Sequence, residues 1–73
     1  MASVIEMLDA ATRAKSALLN SPIYVLREIQ VESSDEALLL RGRVDTFYHK
    51  QLAQELVRAV ADGMRVINTI AVD

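Results

Sequence analysis

Apolar residues recur at steps of three and four near the start of the chain. Val4, Met7, Ala11, Ala14 and Leu18 fall on one stripe, widened by Ile5 and Leu8. That period predicts a helix over residues 3–19. Ser3 followed by Glu6 has the spacing of a capping box. The alanines at 10, 11, 14 and 17 favour the helix and allow close packing. Asn20, Ser21 and Pro22 end it, since Asn tolerates a left-handed C-terminal position and Pro cannot continue the helix.

The period then changes to two. Residues 23–32 read as a strand with Val25, Ile29 and Val31 on one parity and Tyr24, Leu26, Glu28, Gln30 and Glu32 on the other. The polar Ser33–Glu36 stretch predicts a hairpin turn. Residues 37–44 give a second strand, with Leu38, Leu40, Gly42 and Val44 on one face and Ala37, Leu39, Arg41 and Arg43 on the other. Asp45 and Thr46 are both suited to cap a helix over residues 46–62, whose apolar side carries His49, Leu52, Ala53, Leu56, Ala59 and Val60. Gly63 supplies a left-handed cap, and residues 64–72 make the last strand, with Val66, Asn68, Ile70 and Val72 in step.

The order is α-β-β-α-β. It predicts an α+β fold: a single small domain over residues 1–73, a three-stranded mixed sheet and two helices packed on one face. A strand–helix–strand connection in one sheet crosses over right-handed and makes its two strands parallel.

Composition narrows the function. At 73 residues there is room for one domain, and the 52% apolar content is ample for a core. There are no cysteines, hence no disulfide and no thiolate site. Lys and Arg number 8 against 10 Asp and Glu, for a net charge of −2 without any run of like sign. A nucleic-acid ligand calls for a basic patch, so no nucleic acid is expected as a partner. The KH-type alternative lacks its Gly-x-x-Gly clamp, and the aromatics Tyr24, Phe47 and Tyr48 do not form a base-stacking strand. No segment approaches the ~18 apolar residues of a membrane span. The first residues lack a basic and an apolar region of signal-peptide type. A complete chain is therefore expected in the cytoplasm; a piece of a larger exported protein would sit in the periplasm or envelope.

No catalytic constellation emerges. His49 is the sole histidine and has no Cys or His partners for a metal, so it reads as a residue of the core boundary. Asp35 and Glu36 lack the spaced ligands and glycine of a calcium loop. No cofactor and no enzymatic activity are expected. Gly42 reads as a packing glycine beneath a crossing helix rather than a ligand-approach glycine. Asn68 reads as satisfying backbone groups near a sheet edge.

Three stretches together resemble the BON domain family. The strand carries Leu38, Leu40, Gly42 and Val44 at alternate positions, and a polar turn and an Ala-, Glu- and Arg-bearing helix follow from Asp45 to Asp62. The Gly63-Met64 step and the closing alternation of Val66, Asn68, Ile70 and Val72 complete the likeness. The family's hairpin usually has a glycine where this chain has Ser33-Ser34-Asp35-Glu36. The resemblance implies a non-catalytic binding module associated with phospholipid or membrane surfaces and envelope components. It carries over no catalytic residues.

With Ile29 and Leu40 facing the helices, Leu26, Leu39 and Ile67 face away, among Arg41, Arg43, Arg65 and Glu28. An apolar cluster ringed by charge is the expected interaction face. Its partner is expected to be a phospholipid surface or a protein, including a second copy of the chain in a homodimer. The alternative is a protein-interaction or oligomerisation module without lipid binding. The plainest reading of the face is aliphatic residues chosen for strand propensity alone.

Overall fold

A computed structural model describes residues 9–73. Helix α1 (Ala10–Leu19) starts at Asp9, whose carboxylate accepts the Thr12 amide at 2.8 Å. Asp9 itself is extended, with φ −70° and ψ 168°, so the helix expected from residue 3 is not continuous through it. A short acidic side chain at this point takes up a backbone amide and starts the helix here. The Ser3–Glu6 capping box lies outside the described residues. Ala14 and Leu18 are fully buried, as their stripe requires. Asn20 ends the helix without turning left-handed, at φ −88°.

The stretch expected to open the first strand is a 3-10 helix, η1 (Tyr24–Glu28). Its three-residue period turns Ile23, Leu26 and Ile29 to one side, and Leu26 and Ile29 are buried. Arg27 locks the turn from outside: its Nε donates to the Ser21 carbonyl at 2.9 Å and one terminal nitrogen donates to the Pro22 carbonyl at 3.3 Å. These local bonds override the strand propensity of Ile23 and Val25.

Strand β1 (Gln30–Ser34) pairs antiparallel with β2 (Ala37–Arg41), Val31 opposite Leu40 and Glu32 opposite Leu39. The turn between them is two residues, with Asp35 at φ 51°. Asp tolerates the left-handed region better than most residues, which lets this hairpin close without glycine.

After Gly42 the chain continues as β3 (Arg43–Val44) into helix α2 (Phe47–Arg58). Thr46 caps α2 by accepting the His49 amide at 3.1 Å. The helix ends at Arg58, a turn earlier than residue 62, because the Val60 and Ala61 amides bond three residues back rather than four. Ala59 is consequently exposed, while Val57, outside the expected stripe, is fully buried. Arg13 of α1 donates to the Val60 carbonyl at 3.2 Å and satisfies this frayed end. Asp62 and Gly63 both take positive φ to reverse the chain.

Strand β4 (Arg65–Asn68) lies parallel to β2, with Leu39 opposite Ile67, giving the mixed order β1-β2-β4. A second pair joins β3 to β5 (Ala71–Val72). It keeps the same register offset, and Ala71 N–H donates to the Gly42 carbonyl at 2.9 Å across the break. The expected strands 37–44 and 64–72 are thus one parallel pair interrupted at Gly42. The fold is α+β in the order α-β-β-α-β, with both helices packed over Val31, Leu38 and Leu40 on one face of the sheet.

Candidate binding face

With both helices on one side, the other face of the sheet has no layer over it among the described residues. Parity places Gln30, Glu32 and Ser34 of β1, Ala37, Leu39 and Arg41 of β2, and Arg65 and Ile67 of β4 there. Glu32, Leu39 and Ile67 form one cross-strand row. Leu39 is half-buried and Ile67 is exposed, so the apolar centre is two side chains wide.

Leu26, expected on this face, is not part of it. It lies on the opposite side with no exposed area, because η1 replaces the strand whose parity would have turned it outward.

The arginines of the face are partly neutralised within the chain. Arg41 meets Glu32 at 3.0 Å and Arg43 meets Asp73 at 2.8 Å. Both pairs are well exposed, so each contributes at most about 1 kcal/mol to stability. Their consequence is electrostatic: two of the three cations carry their own counter-charge. The Arg65 side chain makes no ion pair among the described residues.

The motif residues occupy other places. Gly42, at φ +142°, abuts Ile29 at the exit of η1, and an added Cβ would sit 3.1 Å from Ile29 Cδ1. It permits close packing against Ile29, not beneath a crossing helix. Gly63, at φ +85°, has open space around it and serves backbone conformation alone. Asn68 points inward: Nδ2 donates to the Lys50 carbonyl at 2.9 Å and to Gln54 Oε1 at 3.2 Å, and Oδ1 accepts the Ile70 amide at 3.1 Å.

His49 Nδ1 lies 2.6 Å from Asp45 Oδ1. That hydrogen bond, with one from the Asp45 backbone, holds the Asp45 carboxyl below its ordinary value. Among the described residues, no group of three or more His, Cys, Asp or Glu side chains gathers to hold a metal ion. No helix among them is long and apolar enough to cross a membrane.

Reading residues 23–32 as a strand also concealed a groove. Lys15, Leu19, Arg27, Ile29, Gln30, Val31 and Glu32 line an open groove of about 380 Å³ beside α1, η1 and β1. The step of three from Ile23 through Leu26 to Ile29, just after Pro22, was the signal that could have revealed it.

A helix-backed mixed sheet with one face uncovered among the described residues defines a small α+β domain. The sequence profile of the BON domain family matches residues 8–73, and the chain belongs to that family. A search of curated proteins finds no match. The residues that carry the family pattern have physical roles here: Leu38, Leu40 and Val44 are core, Gly42 allows the approach of Ile29, and Asn68 ties β4 to α2.

Proposed function

We propose that this domain is a non-catalytic module that docks on a phospholipid surface through its uncovered sheet face. Family membership supports the class of ligand. The observation that carries the location is the pairing of Leu39 with Ile67 on the only sheet face without a helix over it among the described residues. Leu39 and Ile67 would enter the interfacial region, and Arg65 would meet headgroup phosphate.

The internal pairing of Arg41 and Arg43 limits the electrostatic part. An unpaired basic residue near an anionic membrane contributes about 1 kcal/mol. With Arg65 as the uncompensated cation, attraction to anionic lipid is modest and its salt dependence shallow. Flotation of the purified domain with anionic and neutral liposomes at low and high salt tests this. Binding that weakens in Leu39→Asp and only slightly with salt supports the reading. Absence of flotation at every composition removes it.

The paired arginines also favour a second reading, a protein contact between copies of the chain. A nearly neutral face with an aliphatic centre suits a twofold interface better than a strongly basic one would. Concentration-dependent mass without lipid affinity would select it.

A further inference from the structure

We propose that the groove along the open edge of β1 receives an extended peptide segment bearing acidic and aliphatic side chains, which joins the sheet as an added strand. Among the described residues the sheet order β1-β2-β4 leaves β1 paired on one side only. Every second residue of β1 therefore directs its backbone amide and carbonyl away from β2. Natural sheet edges are commonly blunted by Lys, Pro or a bulge. β1 reads Gln-Val-Glu-Ser-Ser and has none of these.

The groove beside that edge has the walls an incoming strand needs. The buried Ile29 and Val31 supply its aliphatic lining, together with Leu19, 63% exposed at the end of α1. A large aliphatic side chain left this open beside an unpaired edge offers a contact for alternate side chains of a partner strand.

The charges select the partner. Lys15 and Arg27 both line the groove; neither forms an ion pair with a carboxylate among the described residues, and Asp9 acts on Lys15 only through space. Arg27 is fixed in place by the Ser21 and Pro22 carbonyls and lies 5.8 Å from the Tyr24 ring centroid. These contacts orient its guanidinium but do not neutralise it. Glu32, the one acid among the described residues that line the groove, is engaged by Arg41 on the outer face. Two cations beside one paired acid favour an acidic segment. An acyl chain would cover the aliphatic lining but leave the backbone groups of β1 unpaired; a peptide satisfies both.

The test is an amide NMR titration of the ¹⁵N-labelled domain with blocked octapeptides alternating glutamate with valine, leucine or isoleucine. The expected shifts fall on residues 29–33 and on Lys15, Leu19 and Arg27. N-methylating one alternate set of peptide residues abolishes binding, and N-methylating the other set spares it, because an added strand bonds through one edge only. Replacing glutamate by lysine, or Lys15 by Gln in the domain, weakens binding by about tenfold or more, the cost of roughly one charge-assisted contact. Arg27→Gln is read alongside its melting temperature, since Arg27 also holds the 21–22 turn; Lys15→Gln is free of that role. No shift on β1 with any of the peptides at millimolar concentration overturns the proposal. Equal binding by both N-methylated sets also overturns it. So do shifts on the groove produced by submicellar dihexanoyl-phosphatidylglycerol and by none of the peptides, which would make the groove a lipid site. Liposome flotation reads the sheet face separately, so either proposal can fail alone.

Discussion

The side-chain amide of Asn68 in β4 donates to the backbone carbonyl of Lys50 in α2 at 2.9 Å, and its own carbonyl oxygen accepts the Ile70 amide two residues on. One side chain thus fastens the helix to the strand and bridges the interval between β4 and β5. Gln54 Oε1 takes a further bond from the same nitrogen. Asn68→Ala removes the acceptor for the Ile70 amide and all donation to α2. The expected cost is about 1–3 kcal/mol, read as a lower urea midpoint with an unchanged slope. Asn68→Asp keeps the acceptor but faces the Lys50 carbonyl with an anion, so it should recover none of the lost stability at neutral pH. Wild-type stability in Asn68→Asp would show that the helix tie is unimportant.

The two glycines separate packing from conformation. Gly42→Ala must hold a side chain at φ +142° and meets Ile29 Cδ1 at 3.1 Å, whereas Gly63→Ala meets nothing within 4 Å. Gly42→Ala is expected to lose about 2–3 kcal/mol and Gly63→Ala about 1–2 kcal/mol, the latter from backbone strain alone. Combining Gly42→Ala with Ile29→Val removes the Cδ1 obstacle. The pair should be less destabilised than the sum of the single changes, as a double-mutant cycle would measure. Strict additivity would place the whole cost in the backbone.

Acid stability follows from two aspartates. Asp9 is held below its ordinary value chiefly by the hydrogen bond from the Thr12 amide, and Asp45 chiefly by the hydrogen bond from His49. For a carboxyl depressed in the folded state, the stabilising contribution is complete above the unfolded value, roughly 4. It is lost as pH falls from there through the lower folded value, because the unfolded chain takes up the proton first. Thermal midpoints should fall below about pH 4, and less steeply in Asp9→Asn, since Asn still caps α1 but does not titrate there. An acid limb identical to wild type in Asp9→Asn would remove the cap from this account.

Much of the fold was written in alternation. Leu38, Leu40 and Val44 against Val66, Ile70 and Val72 have period two, and the buried strand pair is parallel in one unbroken register. Parity put Leu39 and Ile67 on the outer face together with Leu26, and the parallel register sets the first two side by side. What alternation could not carry was the segment after Pro22. There Ile23, Val25 and Ile29 have strand character, and the deciding interactions are bonds from Arg27 to two carbonyls that no periodicity records. The end of α2 was hidden for a related reason. The apolar steps continue through Val60, but the backbone tightens after Arg58, so the pattern outlasts the helix.

That difference makes Leu26 and Leu39 a discriminating pair. A reading by parity alone sets them on one face, whereas the folded chain buries Leu26 completely and leaves Leu39 half open on the other side. Leu26→Ala removes a side chain from the core beneath η1 and should cost about 2–5 kcal/mol. Leu39→Asp puts a charge on a half-buried position of the outer face, opposite Ile67 and Glu32 and next to Arg41, whose guanidinium offsets the like charge of Glu32. It should leave the urea midpoint within about 1 kcal/mol of wild type, while abolishing liposome flotation or self-association seen by sedimentation velocity. Both substitutions would be assayed by denaturation and by binding. The expected pattern is loss of stability in Leu26→Ala and loss of binding alone in Leu39→Asp. A folded Leu39→Asp domain that still floats, and keeps its mass, would move the binding surface off the sheet face.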